Sequence, residues 1–324
     1  MQHVKLNSAF PPVIKPLLAA FFALFLLHPV PCAAAASALG QLGADSAVAG
    51  FSSLLPPPAD AAVIRGADGF AVYFVSVGQG DSIYLELPGG QNALIDGGPS
   101  GSASGPLAKF LGAKGVTHID HVVLTHPHSD HYNGLDYVFS NISVGTFYDT
   151  RMDNTGATAD EAIRAKAAAH NIPAVYPAEG DTLPWGGATV KVLHSCDKPV
   201  QGSGQDINDC SIVLRASYQN MSFMLTGDAG TATEAVLVAH YGASLKSDVL
   251  KVGHHGSRYS TSDAFLRAVA PSTAFIEVGK NNYGHPTKTT LDRLVAFGAK
   301  IFRTDIDGTV EYPSFSCPVL AMAR

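Results

Sequence analysis

Three histidines and one aspartate lie within six consecutive residues in the string HPHSDH, residues 126–131. The apolar run IDHVVLT directly before the string predicts a buried strand. Imidazoles and carboxylates are rarely placed at a strand end for packing alone, so the string indicates a metal site. Residues two apart in an extended segment point the same way, so His126 and His128 are expected to face one ion, and Asp130 and His131 a neighbouring one. These ligand types suit zinc, with manganese or iron as alternatives.

Two other apolar runs end in residues that fit a two-metal site. The run FMLTGD ends at Asp228, whose carboxylate can bridge two ions that lie about 4 Å apart. A simple turn aspartate after glycine is the alternative for this residue. The run LKVGHHGS places His254 and His255 between glycines, which is unusual for a turn. We therefore expect the distal histidine ligand in this pair.

Strand-rich runs alternate with helical patterns from Phe70 onward. Predicted strands span residues 71–77, 82–87, 92–96, 119–125, 190–193, 211–216, 222–226, 249–252 and 274–278. Predicted helices span residues 106–113, 159–170, 233–241, 263–269 and 290–297. A hairpin is predicted from Ile301–Thr304 and Thr309–Tyr312 around Asp307-Gly308. Because hairpins mix with crossovers, we predict an α+β fold, an αββα sandwich of two mixed sheets with helices outside.

The N-terminal region is predicted to lie outside this fold. Lys5 and Lys15 precede the apolar run Leu17–Leu27, and small residues follow it, which predicts a signal peptide over residues 1–36. The apolar run is shorter than the roughly 20 residues that a membrane span needs, and an uncleaved anchor is the alternative. Residues 37–69 are predicted to be a leader or linker, and residues 70–324 the folded domain. We therefore expect a secreted or periplasmic protein without a membrane span in its mature chain.

The charge balance argues against a surface built to bind long nucleic acid. The sequence carries 21 Lys and Arg against 27 Asp and Glu, a formal net charge of −6. Nucleic-acid-binding domains usually show a basic stripe, and this sequence has no cluster of Lys and Arg. Small or short substrates are favoured, although bound dications add local positive charge and leave nucleic acid open as a substrate.

The four cysteines, Cys32, Cys196, Cys210 and Cys317, contain no CxxC pair, which argues against a zinc–thiolate site. In an exported protein, Cys196 and Cys210 can close a short disulfide loop. Two plain buried thiols fit the same positions equally well.

Six strings in this order resemble the metallo-β-lactamase superfamily, and specifically the hydrolase domain of ComEC competence proteins and its free-standing relatives of the phosphorylcholine esterase type. The strings are GQGDS at 78–82, DGG at 96–98, HPHSDH at 126–131, LTGD at 225–228, HHGS at 254–257 and YGHP at 283–286. The resemblance extends from about Ala71 to Tyr312. It implies a metallo-β-lactamase fold and a hydrolase with two divalent metal ions that acts on phosphoesters, nucleic acid included.

The resemblance also implies a set of metal ligands. His126 and His128 would bind one metal, and a bridging role would fall to Asp228. The second metal would be bound by Asp130, His131 and His254. Two further carboxylates, Asp81 and Asp96, would orient ligand imidazoles by hydrogen bonds.

One part of the sequence departs from the pattern. Many members carry another histidine between the HPHSDH string and the bridging aspartate, where this chain reads DINDCS at 206–211. Asn208 or Asp209 is the candidate substitute. Alternatively the first metal has fewer ligands, in which case the protein binds a single metal.

The resemblance implies further roles close to the reacting group. Asp130 is expected to hold a hydroxide, and His285 to act as an acid or as an oxyanion partner. An ordinary loop histidine before proline is the alternative for His285. Four more residues are expected to orient ligands or to contact a phosphate, with plain solvated side chains as the alternative: Lys251, His255, Ser257 and Asn282.

We therefore predict an exported metal-dependent phosphoester hydrolase that uses a metal-bridged hydroxide. A lactonase or β-lactamase of the same fold is the alternative within enzymes. A non-catalytic metal-binding module is the alternative from another class, although the complete set of candidate ligands argues against it.

Overall fold

The computed structural model describes residues 69–312. The predicted signal peptide (1–36), the predicted leader up to residue 68, Cys32 and Cys317 lie outside the described residues. Among residues 69–312, no helix combines the length and the apolar composition needed to cross a bilayer.

The first sheet has seven strands and is mixed. Its strands, in spatial order, are Val310–Tyr312, Ala71–Phe74, Ile83–Glu86, Asn92–Ile95, His118–Val123, Ser143–Tyr148 and Ala174–Val175. The first four strands of this order pair antiparallel, and the remaining pairs are parallel. Parallel pairing brings the carboxyl ends of neighbouring strands to the same edge of the sheet.

The second sheet also has seven strands and mixes both pairings. In spatial order they are Lys300–Arg303, Thr273–Ile276, Val249–Lys251, Met221–Leu225, Val213–Tyr218, Thr189–His194 and Thr182–Leu183. The first four strands are parallel to one another, and the last three pairs are antiparallel. A small parallel pair, Met152–Asn154 with Val200–Gly202, lies apart from both sheets in the hydrogen-bond pattern.

The main core lies between the two sheets. Alternation along the strand Ala71–Phe74 shows why. Val72 and Phe74 belong to the inter-sheet cluster, whereas Ala71 and Tyr73 belong to a cluster on the opposite face of the sheet. The rings of Phe74 and Phe275 stack across the sheets with centroids 3.8 Å apart. A third cluster packs the outer face of the second sheet against its helices. This layering confirms the predicted α+β sandwich.

Helices cover the outer faces of the sheets. On the first sheet they are Pro106–Ala113, Ser129–Tyr132, Leu135–Asn141 and Ala159–Ala169, and on the second Thr231–Tyr241, Asp263–Val269 and Lys288–Phe297. Shorter helices are Gln205–Asp209 and Thr304–Asp307, with 3₁₀ turns at Pro88–Gly90, Gly242–Leu245 and Gly253–Gly256. Two helices begin at caps that the sequence contains: Ser262 accepts from the Phe265 amide, and Thr287 from the Thr290 amide.

The predicted C-terminal hairpin is wrong. Strand Lys300–Arg303 pairs with Thr273–Ile276 in the second sheet, whereas Val310–Tyr312 pairs with Ala71–Phe74 in the first. The helix Thr304–Asp307 carries the chain from one sheet to the other. An Asp-Gly pair signals a tight turn, but each flanking strand here finds a free sheet edge that the local sequence does not reveal.

Candidate metal centre

Strand ends from both sheets carry the sequence-predicted site residues. From the first sheet come Asp96 and the string at 126–131, which follow the parallel strands Asn92–Ile95 and His118–Val123. From the second sheet come Asp228 and the His254-His255 pair, which follow two further parallel strands. Ligands from distant parts of the chain therefore meet because both sheets end at the same place.

One group of candidate ligands contains Asp130, His131 and His255, whose ligand atoms lie within 4.8 Å of one another. We call these three residues the His255 side. The Nε2 atoms of His131 and His255 each lie 3.4 Å from Oδ2 of Asp228. Nε2 of His255 also lies 3.4 Å from Oδ2 of Asp130. This arrangement of two imidazoles and two carboxylates suits one divalent cation.

A neighbouring group contains His126, Asp228 and again His131. His128 lies beside His126, and we call His126 and His128 the His126 side. Nε2 of His126 lies 3.8 Å from Oδ2 of Asp228 and 3.1 Å from Nδ1 of His128. Nε2 of His254 lies 3.8 Å from the same Asp228 oxygen. Both sides therefore converge on one carboxylate oxygen, which places Asp228 where a bridging ligand belongs.

Asp96 orients imidazoles on both sides. Its Oδ2 accepts from Nδ1 of His131 at 2.8 Å and from the Thr125 hydroxyl at 2.7 Å. The Thr125 hydroxyl donates its proton to Asp96. The Thr125 hydroxyl oxygen can therefore accept a hydrogen bond from Nδ1 of His126, which lies 3.0 Å away. Nδ1 of each imidazole therefore faces an acceptor, and Nε2 of each faces Asp228. The orienting role of Asp96 stays a prediction.

His255 is held by a different pair of acceptors. Its Nδ1 lies 2.8 Å from the Glu277 carbonyl oxygen and 3.2 Å from Oδ1 of Asp81. The loop that carries Asp81 passes directly over the backbone of Asp130, where a side chain on Gly80 would collide with the Asp130 carbonyl. Glycine is therefore required at position 80 for this close approach. Glu277 was not among the predicted site residues, because its contact is made by a backbone atom.

The electrostatics of the two sides differ. Burial lowers the pKa of His126 well below its ordinary value and also lowers the pKa of His128, so both imidazoles are neutral. Burial has the same tendency at His131 and His255, but nearby carboxylates, Asp228 first, outweigh it and raise both pKa values well above the ordinary one. Burial would raise the pKa of Asp228, yet the surrounding imidazole charges hold it well below its usual range.

Unpartnered buried atoms show that the site fits metal ions. Nε2 of His131, Nε2 of His255 and Oδ1 of Asp228 are buried and make no hydrogen bond among the described residues. Buried polar atoms normally have partners, so three such atoms in one cluster of imidazole and carboxylate donors call for an additional one. Divalent cations bound by imidazole and carboxylate donors would supply that partner.

The histidine that lies beside Asp130 and His131 is not the one expected from the sequence. His255, rather than the predicted His254, lies beside Asp130 and His131. Both residues have left-handed backbone conformations, with φ of 46° at His254 and 50° at His255. This conformation is uncommon for side chains other than Gly, Asn and Asp, and it decides which imidazole faces which group.

Two residues expected to contact a phosphate are buried instead. Lys251 is 0% exposed and Ser257 is 2% exposed. Nζ of Lys251 lies 2.5 Å from Oδ2 of Asp81 and donates to the Val252 carbonyl at 3.0 Å. Both side chains are enclosed within the fold, which favours the alternative expectation that they orient neighbouring groups. Their contact with a phosphate stays a prediction. Asn282, in contrast, is exposed on its loop.

His285 lies at the rim of the centre. Its ring centroid is 5.3 Å from that of His254 and 5.8 Å from that of the exposed Tyr283. Burial first, and then the nearby His254 and His255, lower the pKa of His285 to about 4. At neutral pH the ring is therefore a neutral imidazole, which can donate a hydrogen bond but is not an imidazolium acid.

The segment at 206–211 contributes through a residue that the sequence did not single out. Ser211 lies with Oγ 3.4 Å from Nδ1 of His126 and accepts from the Asp228 amide at 3.1 Å. Asn208 is buried, and its Oδ1 makes no hydrogen bond among the described residues. Its substitution for the missing histidine stays a prediction. Cys196 and Cys210 form a disulfide, which settles the choice left open by the sequence.

The fold and the site define an αββα sandwich with a composite histidine and aspartate metal centre at the strand ends. Residues 75–279 match the Metallo-beta-lactamase superfamily, and the chain belongs to that family. The family and the candidate ligands together support a metal-dependent hydrolase.

Two curated relatives are competence proteins or bear the name of a competence operon. The chain is 32% identical over 258 residues to ComE operon protein 3 of Bacillus subtilis, which covers 74% of this chain and 32% of that protein. It is 32% identical over 243 residues to Competence protein ComA of Neisseria gonorrhoeae, which covers 75% of this chain and 32% of that protein. The chain thus spans 32% of the length of each of these relatives.

Solved structures share the fold at low sequence identity. The diiron beta-hydroxylase CmlA from Streptomyces venezuelae has a TM-score of 0.52 at 16% identity and covers 75% of this chain and 54% of its own. YhfI from Bacillus subtilis, a metallo-beta-lactamase fold protein, has a TM-score of 0.50 at 14% identity. The match covers 75% of this chain and 99% of YhfI. These likenesses concern the fold alone, and the reaction must be argued from the site.

Proposed function

We propose that the protein is a phosphoester hydrolase, most closely of the phosphodiesterase or nuclease type, that acts in a secreted or periplasmic location. The observation that carries this proposal is the convergence of two ligand groups on Oδ2 of Asp228. A carboxylate shared by two metals is the arrangement used for in-line displacement at phosphorus.

The proposed ligands are His126 and His128 on one side, and Asp130, His131 and His255 on the other, with Asp228 between them. Two divalent ions, zinc in first place and manganese in second, would lower the pKa of a bound water to about 7 and polarise a phosphoryl oxygen. His254, close to Asp228, is a further ligand candidate for the His126 side.

The protein groups supply orientation and proton transfer. Asp96 keeps His131 in the required tautomer, and the Glu277 carbonyl does so for His255, with Asp81 as a charged neighbour of the same Nδ1. Asp130, whose side chain is 28% exposed, is the carboxylate placed to accept a proton from the attacking water. His285 at the rim donates a hydrogen bond from its neutral ring to the leaving-group oxygen.

The choice of a phosphoester rests on the complete set of six strings and on the named competence relatives. The acidic net charge favours a short substrate or a short stretch of nucleic acid over a long duplex. The Cys196–Cys210 disulfide supports an oxidising compartment, because cytosolic thiols are normally kept reduced. Fractionation of cells that express the full chain tests this location.

A hydrolysis panel with zinc or manganese tests the reaction. The panel contains bis(p-nitrophenyl) phosphate, a phosphorylcholine ester, single-stranded DNA and a β-lactam, with wild type compared to Asp130→Ala. We expect cleavage of a phosphodiester by the wild type and none by the variant. Turnover of the β-lactam alone would favour the lactamase alternative, and bound metal without any turnover would favour the binding module.

A further inference from the structure

A fully buried lysine lies directly beneath the metal centre. Lys251 ends the strand Val249–Lys251 and has no exposed surface. Its Nζ lies 2.5 Å from Oδ2 of Asp81, and it also donates to the Val252 carbonyl at 3.0 Å and the Gly227 carbonyl at 3.4 Å. A buried ammonium is costly in free energy unless it is paired and hydrogen-bonded. The ion pair and the two carbonyl groups therefore hold the Lys251 side chain in its buried position.

The partner of Lys251 is itself a contact of a candidate ligand. Asp81 is 2% exposed, and its second oxygen, Oδ1, lies 3.2 Å from Nδ1 of His255. The chain of contacts therefore runs from the ammonium through one carboxylate to the imidazole whose Nε2 faces Asp130 and Asp228.

A second buried carboxyl group, that of Glu277, lies close to Asp81. Glu277 is 0% exposed. Its Oε1 accepts a hydrogen bond at 3.0 Å from the amide of Ser82, the residue that follows Asp81. Lys251 forms its ion pair with Asp81, so Asp81 is the carboxylate whose charge the ammonium compensates. Without the ammonium, Asp81 would be left as an uncompensated buried charge and would take up a proton or move away from His255.

We propose that Lys251 is a positioning residue for the His255 side of the metal centre, where its ammonium holds Asp81 in place to orient His255. This inference rests on the proposed metal centre. It assigns to Lys251 an effect on metal affinity that is exerted through Asp81 and without contact with metal or substrate. Replacement of groups that orient a metal ligand typically weakens metal binding about 10- to 100-fold.

Zinc titration of the full chain by competition with a chromophoric chelator tests the proposal. The variants are Lys251→Met, Asp81→Asn and the double variant, and the binding step that disappears in His255→Ala identifies the His255 side. We expect Lys251→Met to lower the zinc affinity of that step about tenfold or more. The zinc affinity of the other step should stay within about threefold of the wild-type value. The double variant should bind no more weakly than Asp81→Asn, because Lys251 acts through Asp81.

Lys288→Met is the matched control, since Lys288 forms an exposed pair with Asp292 at 2.6 Å and lies on the surface of a helix. It should leave both steps unchanged. If Lys251→Met does not fold, the double variant carries the test, because it removes both buried charges together.

Three results would overturn the inference. The first is wild-type binding of both metals by Lys251→Met. The second is additive effects of the two substitutions, and the third is failure of both the single and the double variant to fold. The last result would show a purely structural lysine. A wild-type protein that binds no metal at all would instead overturn the proposed metal centre, so the two failures are distinguishable.

Discussion

The two sides of the metal centre are held in place by different chemistry. On the His255 side, Nδ1 of His131 lies 2.8 Å from Oδ2 of the buried Asp96. Nδ1 of His255 lies 2.8 Å from the Glu277 carbonyl oxygen and 3.2 Å from Oδ1 of the buried Asp81. A charged acceptor favours one tautomer and one ring orientation strongly. This side is therefore organised by buried ionic contacts before any metal binds.

On the His126 side, the partners of Nδ1 of His126 among the described residues are neutral hydroxyl groups. Nδ1 of His126 lies 3.0 Å from the Thr125 hydroxyl and 3.4 Å from the Ser211 hydroxyl. The segment that carries Ser211 is restrained instead by the covalent bond between Cys196 and Cys210. The comparison indicates two unequal sites, one ordered by charge and the other by a hydroxyl pair next to a cross-link.

The largest expected effect comes from the residue that both sides share. Asp228→Ala should abolish binding at one site, weaken the other, and lower hydrolysis by roughly 1,000-fold or more, because several kcal/mol of charge stabilisation are lost. Metal content by elemental analysis and the initial rate measure this. Asp292→Ala, on the surface, is the control. A variant that keeps two tightly bound metals would remove the basis for the comparison.

The two sides should differ in their dependence on pH. Because the pKa values of His131 and His255 are raised, both are protonated at neutral pH, and a metal on that side must displace protons. Its affinity should therefore rise with pH through neutrality, about tenfold per pH unit for each proton released.

His126 and His128, with lowered pKa values, are already neutral at pH 7, so metal binding there should release no proton from them. Calorimetry in buffers of different ionisation enthalpy counts the protons for each step. Equal proton release in both steps would contradict the proposed difference.

Asp96→Asn should separate the sides further. It removes the charged acceptor of His131, so the His255 side should lose about 10- to 100-fold in metal affinity. His126 should be affected less, since Asp96 reaches it only through the Thr125 hydroxyl. Chelator competition measures both constants, and Asp292→Asn, at the exposed ion pair with Lys288, is the control. An equal loss on both sides would mean that Asp96 acts on the centre as a whole.

The smallest effect on the His255 side should come from loss of the disulfide. The bridge closes a loop with a sequence separation of 14, and its removal in Cys196→Ser with Cys210→Ser should lower the free energy of unfolding by about 3 kcal/mol. Urea unfolding followed by circular dichroism measures this. Metal binding at the His126 side should weaken a few-fold while the His255 side stays unchanged. Equal weakening of both would show that the bridge supports the entire centre.

Much of the architecture was readable from local patterns. The helices at 106–113 and 263–269 have the predicted bounds, because Pro106 and the Ser262 cap mark their beginnings. The strand at 143–148 was missed, although it is central to the parallel part of the first sheet. Its exposed residues at 143 and 145 give it a weak strand signal, and pairing with His118–Val123 decides its state.

The sequence by itself determined the ligand types and the spacing within the HPHSDH string, because the backbone between residues two apart leaves little freedom in their relative direction. It also determined that Asp228 and a histidine pair end apolar strands. Only the tertiary structure decided that His255 rather than His254 faces Asp130, that Lys251 points inward to Asp81, and that the last two strands join different sheets. These outcomes depend on contacts between segments far apart in the chain, and local spacing does not encode such contacts.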